Sequence, residues 1–218
     1  MGFELIGDGL SFPDPDRASA EGLVAVGGDL STERLLLAYR SGIFPWTVDP
    51  VTWWSPDPRG IFELDTFHVS KSMSKALRKG LFRTTVDTAF EAVMQGCAAP
   101  GPGRGGTWIT GEFIEAYTRL HRQKHAHSLE CWQGGGLVGG IYGVAIGGFF
   151  AGESMFHTVS NASKVALFHL WEHLRTREFE LFDIQMLTPI TTQLGGVEIP
   201  RAEYLKRVAR AVKKPRVF

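Results

Sequence analysis

Residues 127–156 read "HSLECWQGGGLVGGIYGVAIGGFFAGESMF", and the fold turns on them. "HSLECWQ", "LVGGIYGVAI" and "FFAGESMF" are short apolar runs rich in β-branched and aromatic residues, which suits strands. Between them stand Gly134-Gly135-Gly136 and Gly147-Gly148, clusters of the kind that close tight hairpins. The pattern predicts a mostly antiparallel meander. Working outward, "NASKVALFHLWEHLRTRE" (161–178) predicts the strongest helix, with Val165, Leu167, Phe168, Trp171 and Leu174 on one face. "FELFDIQM" (179–186) predicts one more strand, and "PRAEYLKRVARAV" (200–212) a closing helix with Pro200 in its first turn.

Upstream, "GIFELDTFHV" (60–69) predicts a strand or strand pair, and "SKSMSKALRKG" (70–80) a short helix ended by Gly80. "DTAFEAVMQGCA" (87–98) predicts a helix capped by Asp87, "GPGRGG" (101–106) a loop, and "TGEFIEAYTRLHRQKH" (110–125) a helix capped by Thr110. Residues 1–60 are rich in Pro, Gly and Trp. Within them "STERLLLAYRSG" (31–42) predicts a helix with Ser31 as N-cap and Gly42 near its end. "GIFPWTVDPVTWWSPDPRG" (42–60), with its four prolines and three tryptophans, predicts an irregular aromatic segment. The shift in composition near Gly60 marks a boundary, giving a small unit over 1–60 and a larger one over 61–218. The class expected is α/β (α+β), with a mixed, largely antiparallel sheet.

The 218 residues are 44% hydrophobic and 21% charged, as in an ordinary globular protein, and the formal net charge is zero. Cys97 and Cys131 form no C-x-x-C pair, which argues against a disulfide scaffold or a cysteine zinc site. "MGFELIGDGLSFPDPD" lacks the basic and apolar regions of a secretory signal, and Ile6 breaks the myristoylation pattern. No apolar run approaches the roughly 20 residues of a membrane span. A cytoplasmic monomer without membrane contact is the default expectation. Charge is nonetheless uneven: residues 66–86 hold Lys71, Lys75, Arg78, Lys79 and Arg83 and no acid. Lys71, Lys75, Arg78 and Lys79 share one face of the predicted helix, opposite Met73, Ala76 and Leu77. That face is either simply solvated or suited to a phosphate backbone.

Three polar side chains stand out in the strands. Asp183 and Gln185 share one face of "LFDIQ"; they suit either an exposed strand face or the mouth of a cleft. Glu153 lies among Phe149, Phe150, Met155 and Phe156, where a carboxylate is either solvated at a bend or held for a cation. Trp46, Trp53, Trp54 and Trp108 serve the core or stack on an unpaired base. His121, His125 and His127 have poor metal spacing, so no metal site is expected. "QGGGLVGG" departs from the acyl-CoA pyrophosphate loop at Val138 and precedes a strand rather than a helix, so it reads as a hairpin turn.

From about Phe12 to Val208 the chain resembles the leucyl/phenylalanyl-tRNA–protein transferase family. The resemblance is carried by "FPDPDRASAEGLVAVGGDLS", "GIFPW", "WWSPDPR", "TWIT", "HAHSLE", "GGIYGVAIGGFFAGESMFH", "NASKVAL", and "DIQ" followed by "LGGVEIP", in that order. It implies a small N-terminal α/β domain and a GNAT-type acyltransferase domain. It implies transfer of Leu or Phe, and Met less well, from aminoacyl-tRNA to proteins with N-terminal Arg or Lys, marking them for N-degron degradation. No cofactor is implied. Residue by residue, Asp183, Gln185 and Glu153 match functional positions. Trp46 and Trp108 match aromatic positions near the terminal adenosine. Ile141 and Phe150 match the aminoacyl side-chain pocket, with Leu167 and Leu170 as neighbours. Ile141 stands where the family often has Met, and a β-branched side chain is stiffer. The basic residues Lys71, Lys75, Arg78, Lys79 and Arg83 become candidates for tRNA contact. In this chemistry Gln185 positions the attacking amine, Asp183 orients Gln185 and adds negative potential, and Glu153 attracts the acceptor's cationic side chain. An acyl-CoA-dependent N-acetyltransferase of the same fold, and a non-catalytic module for tRNA ends or basic N-termini, are the competing readings.

Overall fold

Two sheets of unequal size organise the chain in the computed structural model, which describes residues 2–100 and 107–218; the expected loop at 101–106 lies outside them. The larger sheet grows from the glycine-punctuated meander. β7 (Ala126–Gln133), β8 (Gly136–Ile146) and β9 (Phe149–His157) pair antiparallel, with Leu129 opposite Ile141 and Ile141 opposite Met155. β6 (Arg83–Val86) extends the sheet beyond β7. Helix α5 (Ala162–Thr176) then crosses over, and β10 (Leu181–Gln185) lies parallel to β9. β5 (Arg59–Phe62) and β11 (Val197–Ile199) complete the order β11-β5-β10-β9-β8-β7-β6; among the described strands of this sheet β9–β10 is the one parallel pair.

Helices cover both faces of this sheet, so its central strands read as nearly continuous apolar runs. α3 (Phe90–Ala98) and α4 (Gly111–Arg122) bury Val93, Met94, Phe113 and Tyr117 with Tyr142, Val144 and Phe149. On the other face α2 (Lys71–Arg78) and α5 bury Met73, Val165, Leu167 and Leu170 with Leu129, Ile141 and Phe150. Gly143 marks the tightest approach between strands: a Cβ there would lie 2.1 Å from the Ala151 carbonyl oxygen.

The smaller sheet has the order β1-β2-β4-β3, from β1 (Glu4–Ile6), β2 (Leu23–Gly27), β3 (Phe44–Val48) and β4 (Val51–Trp54). Here the expectation of an irregular segment over 42–60 fails, because β3 and β4 form a hairpin. "VTWW" has strong strand character, and Pro45 is tolerated because β3 is an edge strand, free of a partner on one side. The core of α3 and α4 continues into this sheet through Leu35, Tyr39 and Trp53, with Leu35 and Tyr39 on α1 (Thr32–Arg40), capped by Ser31 as expected. Gly60, the expected boundary, lies within β5.

Several local expectations change with tertiary context. Asp87 does not cap α3. Its carboxylate accepts from the Ser128 N–H (2.9 Å) and pairs with His127 Nδ1 (2.7 Å). Glu130 of β7 instead accepts from the N–H groups of Thr88 and Ala89, just ahead of α3, at 3.4 Å each. Thr110 holds the N-cap position of α4 without a side-chain hydrogen bond, and Pro200 is the N-cap of α7 (Arg201–Ala211), not part of its first turn. The strand expected over 60–69 ends at Phe62. β1, β2, β6, β11 and the short α6 (Pro189–Gln193) have too few residues to show a period. No described helix is long and apolar enough to cross a membrane.

Candidate active site

The site forms where β10 leaves the sheet. Its register with β5 slips after Asp183, and Gln185 adopts φ +56°, the left-handed region that a side chain rarely enters. Gly60 faces this irregularity; a Cβ there would sit 2.9 Å from the Met186 carbonyl carbon. Asp183 is fully buried and accepts four hydrogen bonds. Arg59 donates from Nε to Oδ1 (2.8 Å) and from Nη2 to Oδ2 (2.7 Å). Tyr204 of α7 donates its hydroxyl to Oδ2 (2.9 Å), and the Gln185 backbone N–H donates to Oδ1 (2.9 Å). Arg59 is itself 1% exposed, lies over the rings of Phe44 and Tyr204 at 4.9 and 4.3 Å, and gives Nη1 to the Gly42 carbonyl. Burial opposes the charge on Arg59, but Asp183 beside it outweighs burial and holds the guanidinium protonated more firmly than usual.

This arrangement divides the expected pair. Asp183 accepts from the backbone N–H of Gln185, not from its side chain. Its own carboxylate is sealed in the core and paired with Arg59. Gln185, at 8% exposure, reaches the cavities. Its Nε2 donates to Glu153 Oε1 (3.1 Å), and Glu153 Oε2 accepts from the Tyr117 hydroxyl (3.3 Å), which in turn bonds the Tyr39 hydroxyl. The Glu153 pKa is pushed up to about 8, chiefly by burial; the Tyr39 hydrogen bond works against this, and the Asp183 charge adds to it.

Two cavities meet at this point. One, of about 410 Å³, is lined by Ile141, Met155, Leu167, His157 and Ser163. The other, of about 340 Å³, is lined by Phe44, Trp46 and Trp108. Both include Glu153, Ile184, Gln185, Met186 and Thr188, so an apolar slot and an aromatic slot share a wall made of a carboxylate and an amide. Ile141 and Leu167 line the first, and Trp46 and Trp108 the second. Phe150 and Leu170 line neither. Phe150 packs on Phe182 and Phe218 in the core, and Leu170 is buried on the inner side of α5. Lys71, Lys75, Arg78 and Lys79 are exposed on α2, and Arg83 on β6; among the described residues no ion pair involves any of the five. The described residues also hold no group of three His, Cys, Asp or Glu suited to a metal. Gly134 and Gly135 close the β7–β8 hairpin.

Arg59, Tyr39, Tyr117 and Tyr204 escaped the sequence reading. The one available signal was the carboxylate in a core strand, since a buried charge requires a partner.

The family whose model is described as leucyl/phenylalanyl-tRNA protein transferase matches residues 61–209, and the model of its N-terminal domain matches residues 28–57. The chain belongs to this family. Its relatives include the leucyl/phenylalanyl-tRNA–protein transferase of Anaeromyxobacter sp. (strain Fw109-5), 52% identical over 209 residues, which cover 94% of this chain and 89% of that one. That of Syntrophotalea carbinolica is 50% identical over 216 residues, covering 98% and 94%. Among solved structures, a ribosomal-protein-alanine N-acetyltransferase from Brucella melitensis biovar Abortus 2308 superposes with a TM-score of 0.35 and 15% identity, over 51% of this chain and 84% of its own. The mixed α/β class follows from the strand order and the helices on both faces of the larger sheet. As a member of the transferase family the chain is an aminoacyltransferase that uses Leu- or Phe-tRNA and a protein substrate.

Proposed function

We propose that the two cavities hold the two parts of an aminoacyl-tRNA end, and that the acceptor is a protein with N-terminal Arg or Lys. The aromatic cavity takes the terminal adenosine against Trp46 and Trp108; the apolar cavity takes the Leu or Phe side chain against Ile141 and Leu167. In this reading residues 1–60 supply an aromatic wall, and 61–218 supply the acyl pocket and Gln185. Lys71, Lys75, Arg78, Lys79 and Arg83 meet the tRNA backbone, which predicts strong salt dependence. Glu153 receives the acceptor's cationic side chain, whose arrival favours the carboxylate form. The protein acts as a monomer in the cytoplasm, and its products carry an N-terminal Leu or Phe that marks them for N-degron degradation.

The observation that carries this reading is the orientation of Gln185. With Nε2 donating to Glu153, the amide oxygen is the atom left to accept from an incoming N–H. The α-amine, with a pKa of about 8, is partly neutral at cellular pH. It attacks the ester carbonyl carbon, a C–N bond forms, and the bond to the ribose oxygen breaks. The proton lost by nitrogen goes to that leaving oxygen, which becomes the ribose hydroxyl. The ester is already activated, so the protein's contribution is attack geometry. The test is transfer of labelled Leu from Leu-tRNA to a peptide starting with Arg and to the same peptide with an acetylated N-terminus. Transfer to the first alone supports the reading. Acetyl transfer from acetyl-CoA without tRNA, or binding without turnover, would overturn it.

A further inference from the structure

We propose that Arg59 is a positioning residue for the transfer, acting through Asp183 on Gln185. The inference rests on the reading of Gln185 as the residue that receives the attacking amine. Arg59 faces neither cavity. Its Nε and Nη2 grip both oxygens of Asp183, and its Nη1 holds the Gly42 carbonyl between β3 and α1. Buried ion pairs are weak devices for stability, because apolar residues of equal volume often serve as well. What this pair secures is direction. With Oδ2 taken by Arg59 and Tyr204, and Oδ1 by Arg59, the carboxylate has one orientation. In that orientation Oδ1 also accepts the Gln185 N–H and closes the turn in which Gln185 stands at φ +56°. A non-glycine residue keeps such a conformation only where its surroundings impose it. The next residue, Gly60, leaves the space in which the turn lies. Arg59 and Gly60 together therefore shape the peptide that aims the Gln185 amide at the junction of the cavities.

Lysine would retain the charge but not the two-pronged grip. Arg59→Lys is expected to lower kcat by about 10²-fold, the scale of an ångström's misplacement, with the KM for Leu-tRNA within about twofold. A purely structural role would not tie that loss to Gln185, so the deciding measurement is a double-mutant cycle. In a Gln185→Ala background Arg59→Lys should cost no further activity. Tyr204→Phe removes a single donor to Asp183 and serves as a second, milder probe where Arg59→Lys fails to fold. It should lower kcat several-fold, again only while Gln185 is present. Losses that multiply in the double variants, or an unimpaired Arg59→Lys beside an impaired Gln185→Ala, would overturn the role of Arg59 alone. An unimpaired Gln185→Ala would sink the Gln185 reading, and the route from Arg59 with it.

Discussion

Two carboxylates on adjacent strands, Asp183 of β10 and Glu153 of β9, have opposite electrostatic fates. Asp183 is surrounded by donors, one of them a cation, and its charge is used up inside the protein. Glu153 has tyrosine hydroxyls and an amide N–H within hydrogen-bond reach but no cation, and its pKa rises to about 8. Burial sets the cost of a charge, and the neighbours decide whether it is met within the fold or left for a ligand to meet. The first arrangement builds a rigid support. The second leaves a carboxyl group that keeps its proton to about pH 8 on the wall shared by the two cavities.

Removing Asp183 should have the largest effect. Asp183→Ala strands the Arg59 guanidinium in the core, at a cost of about 3–5 kcal/mol, and frees the Gln185 turn. Urea denaturation should show the loss of stability, and single-turnover transfer a steep loss of rate. Equal stability to the parent would show that Asp183 is not locked as described. Glu153→Gln should be better tolerated. It is expected to raise the KM for an Arg-starting peptide by about 10-fold, the scale of a lost charge-assisted bond, and to leave the KM for Leu-tRNA alone. Its stability should also respond to pH. The folded chain holds the Glu153 proton up to about pH 8, whereas an unfolded glutamate releases it near 4.5, so unfolding free energy falls as pH rises between those values. Thermal midpoints from pH 5 to 8 should flatten in Glu153→Gln; an unchanged slope would remove Glu153 as its source.

Tyr117→Phe should sharpen the contrast further. It deletes a donor that lowers the Glu153 pKa, so the falling window extends to higher pH, with about 1 kcal/mol of stability lost for the hydrogen bond. A window that stays in place would show that the Tyr117 hydroxyl does not contribute to the titration. The smallest effect is expected at Ile141, an apolar side chain on the wall of the first cavity. Ile141→Met should shift the relative kcat/KM for Leu, Phe and Met by no more than about tenfold, the scale of a methylene in an apolar pocket. A larger change would mean that the pocket is repacked rather than trimmed.

Periodic features survived the passage from sequence to structure. The glycine turns, the meander, α5 and the capped helices α1 and α2 depend on contacts within a few residues. Features that depend on distant partners did not. Glu130 in another strand binds the N–H groups that lead into α3, and Pro45 fits the hairpin over 44–54 because β3 lies at a sheet edge. Half of the candidate pocket behaved in the same way: Ile141 and Leu167 line the cavity, whereas Phe150 and Leu170 lie beneath it. Phe150 shares the sheet face of Ile141 but is covered by Phe182 and Phe218, neighbours that spacing along the chain does not show.

By itself the sequence determined the strand–turn order, the main helices and the membership of a tRNA-dependent transferase family. Local spacing and short ordered motifs carry that information along the chain. Only the tertiary structure decided that Asp183 is spent on Arg59 while Gln185 and Glu153 face a shared wall of two cavities. Arg59 precedes Asp183 by 124 residues. The charge state and direction of a buried group depend on which donors the fold brings within about 3 Å of it, and strand register settles that, not neighbourhood in the chain.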